Sequence, residues 1–569
     1  MCGIFGYTGE PNPEQLQRMG RSLSHRGPNA VHFWNDADAS LGASRLSIVD
    51  TLLGKQPVSS SGGLVQAVMN GEIYNSRKLR QELEVKGHTF ESSHSDTELI
   101  PHLYEERGKD FIRDLEGMFA LAVWDRRRNE LLLARDAVGM KPLYYSVHHG
   151  RIFFASEIKA LFTCAEIPKE PDFISLHHYF SLKHVPSPST AFLGISQLSP
   201  GEIAIFREGK LELRRWWKLD FREEPNVDEN KLASRLRERL EASIAAHLQS
   251  DVEVGAFLSG GLDSSTVVAM MSREQKKPIK TFTLTYEDSL PGKSADREFA
   301  RLVSKTFHTD HHELVLSAKN IPEEIHQIVD AFDEPFSGSL STYFLAKAAA
   351  KEVKVILTGD GADELFGSYR AHREAAPRKD EVSWRMSLYL RTEAEKRQLY
   401  TPRMLEIVDK SSTENLIESV LSECSTTDPL NRMLHLDFRT LLPDQVLAFS
   451  DRLAMKHSLE TRPPFLALSV VECAAAIPGA LKIKDGRVKH ILKEAVRDLL
   501  PQPLIDRPKE GFILPLNHWL SSSLKDFAHS IVAPNRLKKS GLIQKSQEQS
   551  AEKIWNLVLF QLWWEKYFG

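Results

Sequence analysis

Three places along the chain carry residues whose types and spacing could do chemistry. The first is Cys2. Its small side chain is compatible with removal of Met1, which would leave a free α-amine on a thiol-bearing residue. An α-amine has an unperturbed pKa of about 8, so at neutral pH a useful fraction is unprotonated and can act as a base. Nucleophile and base would then share one residue, the N-terminal variant of nucleophile activation. Taken alone, Cys2 is equally a chance cysteine after the initiator. The second place is Ser259-Gly-Gly-Leu-Asp-Ser-Ser265, directly after an apolar run over 252–258. Small residues let backbone N–H groups approach an anion, and a helix starting near Ser264 adds positive partial charge. The plain alternative is a Gly-rich turn. The third is Gly359-Asp-Gly-Ala-Asp-Glu364, after another apolar run over 353–358. Asp263 and Asp363 thus follow two strand ends and would converge at the carboxyl edge of a parallel sheet, where ligands bind.

The elements that must hold these residues fall into two textures. Up to about Leu193 the chain is rich in short β-type runs, over 131–134 and 152–155 for example, between Gly- and Pro-marked turns. A helical stretch is expected over 96–104. Pro- and Ser-rich segments at 185–190 and 198–201, a further β-type segment and the charged passage 222–226 read as a connector. From about Val227 long amphipathic helices alternate with short apolar strands: a helix over 229–247, a strand over 252–258, a helix over 264–272, and strands over 281–286 and 353–358. That alternation is the signature of a parallel sheet. The expected organisation is an amino-terminal domain over 2–193, a connector over 194–226 and an α/β domain over 227–569.

Composition narrows the class. At 569 residues the chain needs two or three cores. It is 41% hydrophobic and 26% charged, the balance of a soluble globular protein. Lys+Arg of 73 against Asp+Glu of 77 gives a net charge of −4, which argues against nucleic acid as a partner. Apolar runs such as Phe119-Ala-Leu-Ala-Val-Trp124 are too short to span a membrane. The start lacks the pattern of a signal peptide. Four cysteines (Cys2, Cys164, Cys424, Cys473) without a CxxC pair fit a reducing compartment, so a cytoplasmic location is expected. The last three of these read as buried small hydrophobes. His308-Thr-Asp-His-His312 lacks the i, i+4 spacing of a zinc helix. His148-His149 and His177-His178 read as surface or turn residues, and Trp563-Trp564 as the anchor of a last helix.

Cys2-Gly-Ile-Phe-Gly6, His25-Arg-Gly-Pro28, Arg45-Leu-Ser-Ile-Val-Asp50, Asn70-Gly-Glu-Ile-Tyr-Asn75 and Ser95-Asp-Thr-Glu98, in that order, resemble class II glutamine amidotransferase domains. That resemblance implies the N-terminal-nucleophile fold, an αββα sandwich, with Cys2 as nucleophile. It implies an oxyanion site made by the Asn70 side chain and the Gly71 N–H. Arg45 and Asp96 match the α-carboxylate and α-ammonium of glutamine, with Glu72 in the same pocket. Asn29 stands where the family usually has Asp, and altered local bonding is expected there.

Ser-Gly-Gly-Leu-Asp-Ser resembles the PP-loop of enzymes that split ATP to AMP and pyrophosphate. Ser259, Gly260, Gly261, Asp263 and Ser264 would then meet the phosphates. Carboxylates beside phosphate oxygens repel them unless Mg²⁺ lies between, so ATP and Mg²⁺ are both implied. The second half resembles asparagine synthetases throughout, including Asp451-Arg-Leu-Ala-Met-Lys-His-Ser-Leu-Glu460, Arg462-Pro-Pro-Phe465, Arg507-Pro-Lys-Glu-Gly-Phe512 and Ile554-Trp-Asn-Leu557. The resemblance implies that Leu258, Leu284 and Gly359 frame adenosine and that Asp263 and Asp363 hold Mg²⁺-pyrophosphate. It puts Lys509 on the phosphates and Asp360, Glu in some relatives, near the ammonia step. The expected reaction is glutamine hydrolysis coupled through an internal ammonia channel to amidation of a carboxylate, with aspartate the leading acceptor. Two departures bear on the acceptor: Ser337-Gly-Ser-Leu-Ser341 stands where one branch has an Arg, and Ala467 replaces an Asp. Other readings are the same chemistry on a sugar, peptide or secondary metabolite, an internal ring closure, or a non-catalytic scaffold. A homodimer is left open.

Overall fold

The computed structural model describes residues 2–224, 227–287, 293–507, 514–544, 548 and 550–569. Strand alternation builds the first half. Along Cys2–Thr8, Cys2 and Ile4 face one side, and Phe5 and Tyr7 face the other, the period of a pleated strand. Cys2 and Ile4 join Leu41, Ala43, Val68 and Ala120 in a core between two sheets. Phe5 and Tyr7 pack instead with Leu16 and Met19 of the helix Pro13–Ser22. In the second sheet Val68 points inward, while Ala67 and Met69 meet Leu79, Leu99 and Leu103 from two helices outside. Two six-stranded sheets, each paired antiparallel, are thus sandwiched between helices, the αββα arrangement expected.

Part of the expected connector belongs to these sheets. Ser196–Gln197, Glu202–Arg207 and Lys210–Arg215 all pair into them. Ala204 and Phe206 fill the inter-sheet core while Ile203 and Ile205 face the outer helices, so a two-sided apolar alternation draws the segment in. The helix expected over 96–104 runs Leu99–Arg107. Its start is delayed because the Asp96 carboxylate accepts from the Ile73 and Thr97 N–H groups and holds that turn outside the helix.

The second half is built on five parallel strands. Their order is Asp310–Leu316, Lys280–Tyr286, Val254–Phe257, Val355–Leu357, Glu460–Arg462. The chain therefore steps outward on one side of Val254–Phe257 and then resumes on the other side, a topological switch point. Among the described residues no helix is long and apolar enough to cross a membrane. His177 and His178 are not surface residues: both are buried on the helix Phe173–Leu182, His177 against the Tyr400 hydroxyl and the Lys396 ammonium, His178 against the Thr413 hydroxyl. A polar pair on an otherwise apolar helix misled the sequence reading, since its partners come from distant segments. The helix Ala551–Phe568 packs Trp563 against Phe192, with ring centres 5.6 Å apart, in a cluster that also holds Phe5 and Leu16.

The halves meet over charge. Fully buried Arg26 donates through Nη1 and Nη2 to the Asp451 carboxylate at 2.8 and 3.1 Å, and through Nη1 to Glu157 at 2.9 Å. Glu157 also meets Lys159 at 2.6 Å and His25 at 3.0 Å, and Lys141 lies 3.6 Å from Asp451. Burial disfavours both ionised carboxyls, yet His25, Lys159 and Arg26 hold Glu157 well below the usual carboxylate range, and Arg26 and Lys141 lower Asp451. Arg26→Met should destabilise the protein by about 3–5 kcal/mol in urea unfolding, because it leaves two buried carboxylates short of a partner. Since both folded pKa values lie below the unfolded ones, the stabilisation is present at neutral pH and is lost as pH falls through the carboxylate range. The variant should accordingly show a flatter loss of stability in acid; an unchanged urea midpoint would contradict this account.

Ala467, one of the two departures noted above, precedes the helix Leu468–Ala475 with φ −57° and ψ 136° and gives it no side-chain cap. It lies outside the lining of the cavity described below, so it bears on helix stability rather than on the acceptor. Ala467→Asp should raise stability by about 0.5–2 kcal/mol by supplying an N-cap acceptor. A calorimetric midpoint that stays put or falls would rule that out.

Candidate active sites

The antiparallel register of Cys2–Thr8 with Ala39–Arg45 sets Cys2 opposite Arg45, and alternation turns Asn70 to the same inter-sheet side as Val68. The Cys2 N–H donates to Asn70 Oδ1 at 3.2 Å. Asn70 Nδ2 is buried beside it without a hydrogen-bond partner among the described residues, an unsatisfied donor of the kind that needs an explanation. A Cβ on Gly71 would lie 2.0 Å from the Met118 carbonyl oxygen, so only glycine fits. The Arg45 guanidinium is held by loop carbonyls, at 2.7 Å from Asp50 and 3.3 Å from Thr51. Asp96 is buried, which raises its carboxyl against the two backbone N–H groups it accepts. Asn29, the departure in the His25-Arg-Gly-Pro segment, accepts from the Ser47 N–H at 2.9 Å and pins the residues after Arg45. Glu72 shares the Asn70 side of its strand and lies 3.5 Å from Arg462 of the second half. Burial, together with the Asp96 charge, pushes its carboxyl well up.

One residue at this end was not anticipated. Gln56 Nε2 lies 3.6 Å from Cys2 Sγ and 3.3 Å from Thr97 Oγ1, while its Oε1 accepts from the Met69 N–H at 2.7 Å. A lone glutamine between strands carries no periodicity that could have singled it out. Burial also raises the Cys2 thiol.

At the switch point a cavity of about 850 Å³ opens. Leu258, Ser259, Asp263, Ser264, Leu284, Gly359, Asp360 and Asp363 all line it. The helix after the first loop starts at Leu262, two residues earlier than expected. Gly260 has φ +70°, and a Cβ there would lie 2.6 Å from the Ala300 nitrogen. Its carbonyl accepts from Arg507 at 2.7 Å, and the Gly261 N–H donates to Ser259 Oγ at 3.3 Å. A Cβ on Gly359 would lie 2.9 Å from Asp263 Cβ and from the Ser264 nitrogen, so the two loops touch there. Lys489, buried and left-handed at φ +53°, donates to both oxygens of Asp263 at 2.8 and 2.7 Å and pairs with Asp363. Nothing in Arg487-Val-Lys-His490 marks it in the sequence. Lys509 lies outside the described residues.

Asp360 accepts from the hydroxyls of Thr358 and Ser450, both at 2.8 Å. Burial, with the nearby Asp363 and Asp263 charges, raises its carboxyl. Burial and Asp363 push Glu364 up to about 8. Ser450 and Asp451 are consecutive on the helix Leu447–Met455. The first touches Asp360; the second grips Arg26, whose Nε lies 3.4 Å from the Cys2 carbonyl oxygen. The other wall of the cavity includes Ser337, Gly338, Ser339 and Gln445, the last from the π-helical turn Leu442–Val446. Such turns recur at functional sites. Among the described residues no group of three or more His, Cys, Asp or Glu is placed to hold a metal by itself.

Comparison with known proteins agrees with this geometry. Residues 235–565 match the family model described as asparagine synthase, and residues 1–217 match a glutamine amidotransferase domain. A glutamine-hydrolysing asparagine synthetase 1 of Bacillus subtilis is 30% identical, covering 99% of this chain and 96% of its own length. A second from that organism, numbered 3, is 32% identical over 90% of this chain and 87% of its own. A protein of Gibberella zeae named amidase chry2 is 25% identical over 97% and 94%. The chain belongs to the asparagine synthase family, as a glutamine amidotransferase domain joined to a synthetase domain.

Proposed function

We propose that the protein is a glutamine-dependent synthetase that amidates aspartate and splits ATP to AMP and pyrophosphate. The reading rests chiefly on the helix Leu447–Met455, whose consecutive residues Ser450 and Asp451 reach both candidate sites. Such a link suits an enzyme that makes ammonia at one site and uses it at the other, since free ammonia would escape or be protonated in water.

In the first site the Cys2 sulfur attacks the amide carbon of glutamine, ammonia leaves and water releases glutamate from the thioester. Burial raises the thiol, so a base is needed, and with Met1 removed the Cys2 amine is adjacent. Asn70 Oδ1 accepts a hydrogen from that nitrogen and orients it, while the unpartnered Nδ2 and the Gly71 N–H receive the oxyanion. Arg45 and Asp96 take the charged end of glutamine, and Gln56 and Glu72 border it. In the second site an oxygen of the acceptor carboxylate attacks the α-phosphorus of ATP and pyrophosphate leaves. Ammonia then attacks the acyl carbon and AMP leaves. Leu258, Leu284 and Gly359 flank adenosine, and the loop Ser259-Gly260-Gly261 with Asp263 and Ser264 meets the phosphates. Lys489 supplies positive charge there, and Lys509 keeps the phosphate role that the resemblance implies. Asp263 and Asp363 converge on one ammonium, so their oxygens also suit Mg²⁺, which takes one or two carboxylates and offsets phosphate charge when bound. Asp360, with its carboxyl raised, is the group fitted to take a proton from the attacking ammonia.

A second reading, the same chemistry on a larger carboxylate, is favoured by the small residues Ser337, Gly338 and Ser339 on the wall of the 850 Å³ cavity. Pyrophosphate release with ATP and ammonia separates the two: stimulation by aspartate with asparagine formed supports the first, and turnover only with a larger acid supports the second.

Cys2→Ala should abolish glutamine-driven synthesis and leave ammonia-driven synthesis intact; residual glutamine hydrolysis would reject Cys2 as nucleophile. Asp263→Asn or Asp363→Asn should stop AMP formation, and Lys489→Met should lower ammonia-driven kcat by about 10²–10³-fold, the usual loss of one preorganised donor. ADP and phosphate as products would overturn the assignment of the second site.

A further inference from the structure

The wall of the cavity at 337–341 lacks the cation that would grip a substrate carboxylate, yet a cation does reach the cavity from another segment. Lys183 is the only lysine or arginine among the described residues that line it. Lys183 Nζ donates to Glu552 Oε2 at 2.7 Å, and Glu552 lines the cavity too. The other acids of the lining, Asp263, Asp360, Asp363 and Glu364, all belong to the two strand-end loops; Glu552 comes from the opposite wall.

The pair is built into the fold. Lys183 follows the helix Phe173–Leu182 in a left-handed conformation with φ +72°, a position where helices favour glycine. Its N–H closes on the Tyr179 carbonyl, and its carbonyl accepts from the Ser337 N–H at 2.9 Å, so backbone bonds fix it to the wall it completes. Glu552 and Trp555 lie three apart on the helix Ala551–Phe568, on one face, and both line the cavity. Among the described residues the buried Trp555 indole N–H has no hydrogen-bond partner, a spare donor at the same wall. A Cβ on Gly338 would lie 2.5 Å from Phe336 Cζ and 3.3 Å from Gln445 Cγ, so no side chain extends from there into the space before the pair. Side chains 30% and 55% exposed keep Lys183 and Glu552 at the mouth, accessible to a small ligand.

We propose that the Lys183–Glu552 pair reads the α-carboxylate and α-ammonium of an amino-acid acceptor, setting its side-chain carboxylate toward Asp360 and Lys489. This rests on the amidation reaction proposed above. A zwitterion meets both members of a fixed ion pair with opposite charges, lysine to carboxylate and glutamate to ammonium. An acceptor lacking either group leaves one member unmatched, and discrimination of that kind is strong where a site is built for the missing group.

The test uses the full-length enzyme with ATP and ammonia, reading pyrophosphate release with aspartate, succinate, which lacks the ammonium, and 3-aminopropanoate, which lacks the α-carboxylate. Lys183→Met should raise KM for aspartate at least tenfold and narrow the preference for aspartate over 3-aminopropanoate. Lys183→Arg should recover most of that loss. Glu552→Gln should instead narrow the preference over succinate. KM for ATP and the rate of glutamine hydrolysis should stay unchanged in both, which separates loss of recognition from misfolding. Unaltered KM and unaltered preferences in the two variants would overturn the proposal. Wild-type enzyme silent with aspartate would overturn the acceptor named above but not this inference, and a panel of other amino acids and their deaminated analogues then decides it. Turnover confined to carboxylates without an amino group would defeat it.

Discussion

One buried guanidinium organises this molecule. Arg26 comes from the first half, spends no charge on solvent and divides its N–H groups among Glu157 of its own half, Asp451 of the other and the carbonyl of Cys2. A cation so placed is tolerable only when several acceptors surround it, and those acceptors must be buried as well. The constraint spreads outward from there. Glu157 needs Lys159 and His25; Asp451 needs Lys141; Lys159 in turn reaches Asp333 at 3.2 Å. A seam of this kind has one low-energy register, because sliding either half by a residue would leave desolvated charge unmatched. The relative position of the two candidate sites is therefore fixed by electrostatics, with apolar burial supplying the bulk of the adhesion.

The same economy of environment distinguishes carboxylates that look alike in sequence. Asp263 and Asp363 share the ammonium of Lys489. Asp360 accepts from two hydroxyls, and Glu364 meets the Tyr369 hydroxyl at 2.6 Å. Four of the acids that line the cavity thus divide into two that hold positive charge and two whose carboxyls burial raises. Spacing along Gly359–Glu364 alone cannot tell them apart, since alternation around a short helical turn sends neighbours to different surroundings.

How much of this was readable in advance depends on whether the signal was local. The helix Glu229–His247 was legible to the residue, because its amphipathic spacing and the Asp228 cap lie within one stretch of chain. The parallel strands over 252–258, 281–286 and 353–358 were legible from their apolar runs, whereas Asp310–Leu316 and Glu460–Arg462 were not, since charged and polar residues break their pattern. Cys2, Asn70, Asp263 and Asp360 were found through motifs, in which chemistry and turn geometry restrict the residue types at fixed offsets. Gln56, Lys489 and Lys183 were not, because the contacts of each reach across to another segment and its neighbours in sequence are ordinary. The buried His177 and His178 were misjudged for a related reason, since their partners Tyr400 and Thr413 lie more than two hundred residues away, while the segment 196–215 was read as connector although its strands pair into both sheets.

The long closing helix has a consequence in time as well as in space. Ala551–Phe568 inserts Trp563 beside Phe192, and its Asn556 carbonyl accepts from the Tyr179 hydroxyl at 2.7 Å, so a stretch synthesised well after Phe192 joins a core that also holds Phe5 and Leu16. During synthesis the amino-terminal sheets wait with part of their apolar surface open until that helix arrives. A nascent chain holding only its first half would lack both the helix and Asp451, leaving Arg26 without its main acceptor. Vectorial assembly would then leave the surroundings of Cys2 unfinished until the second half has been made.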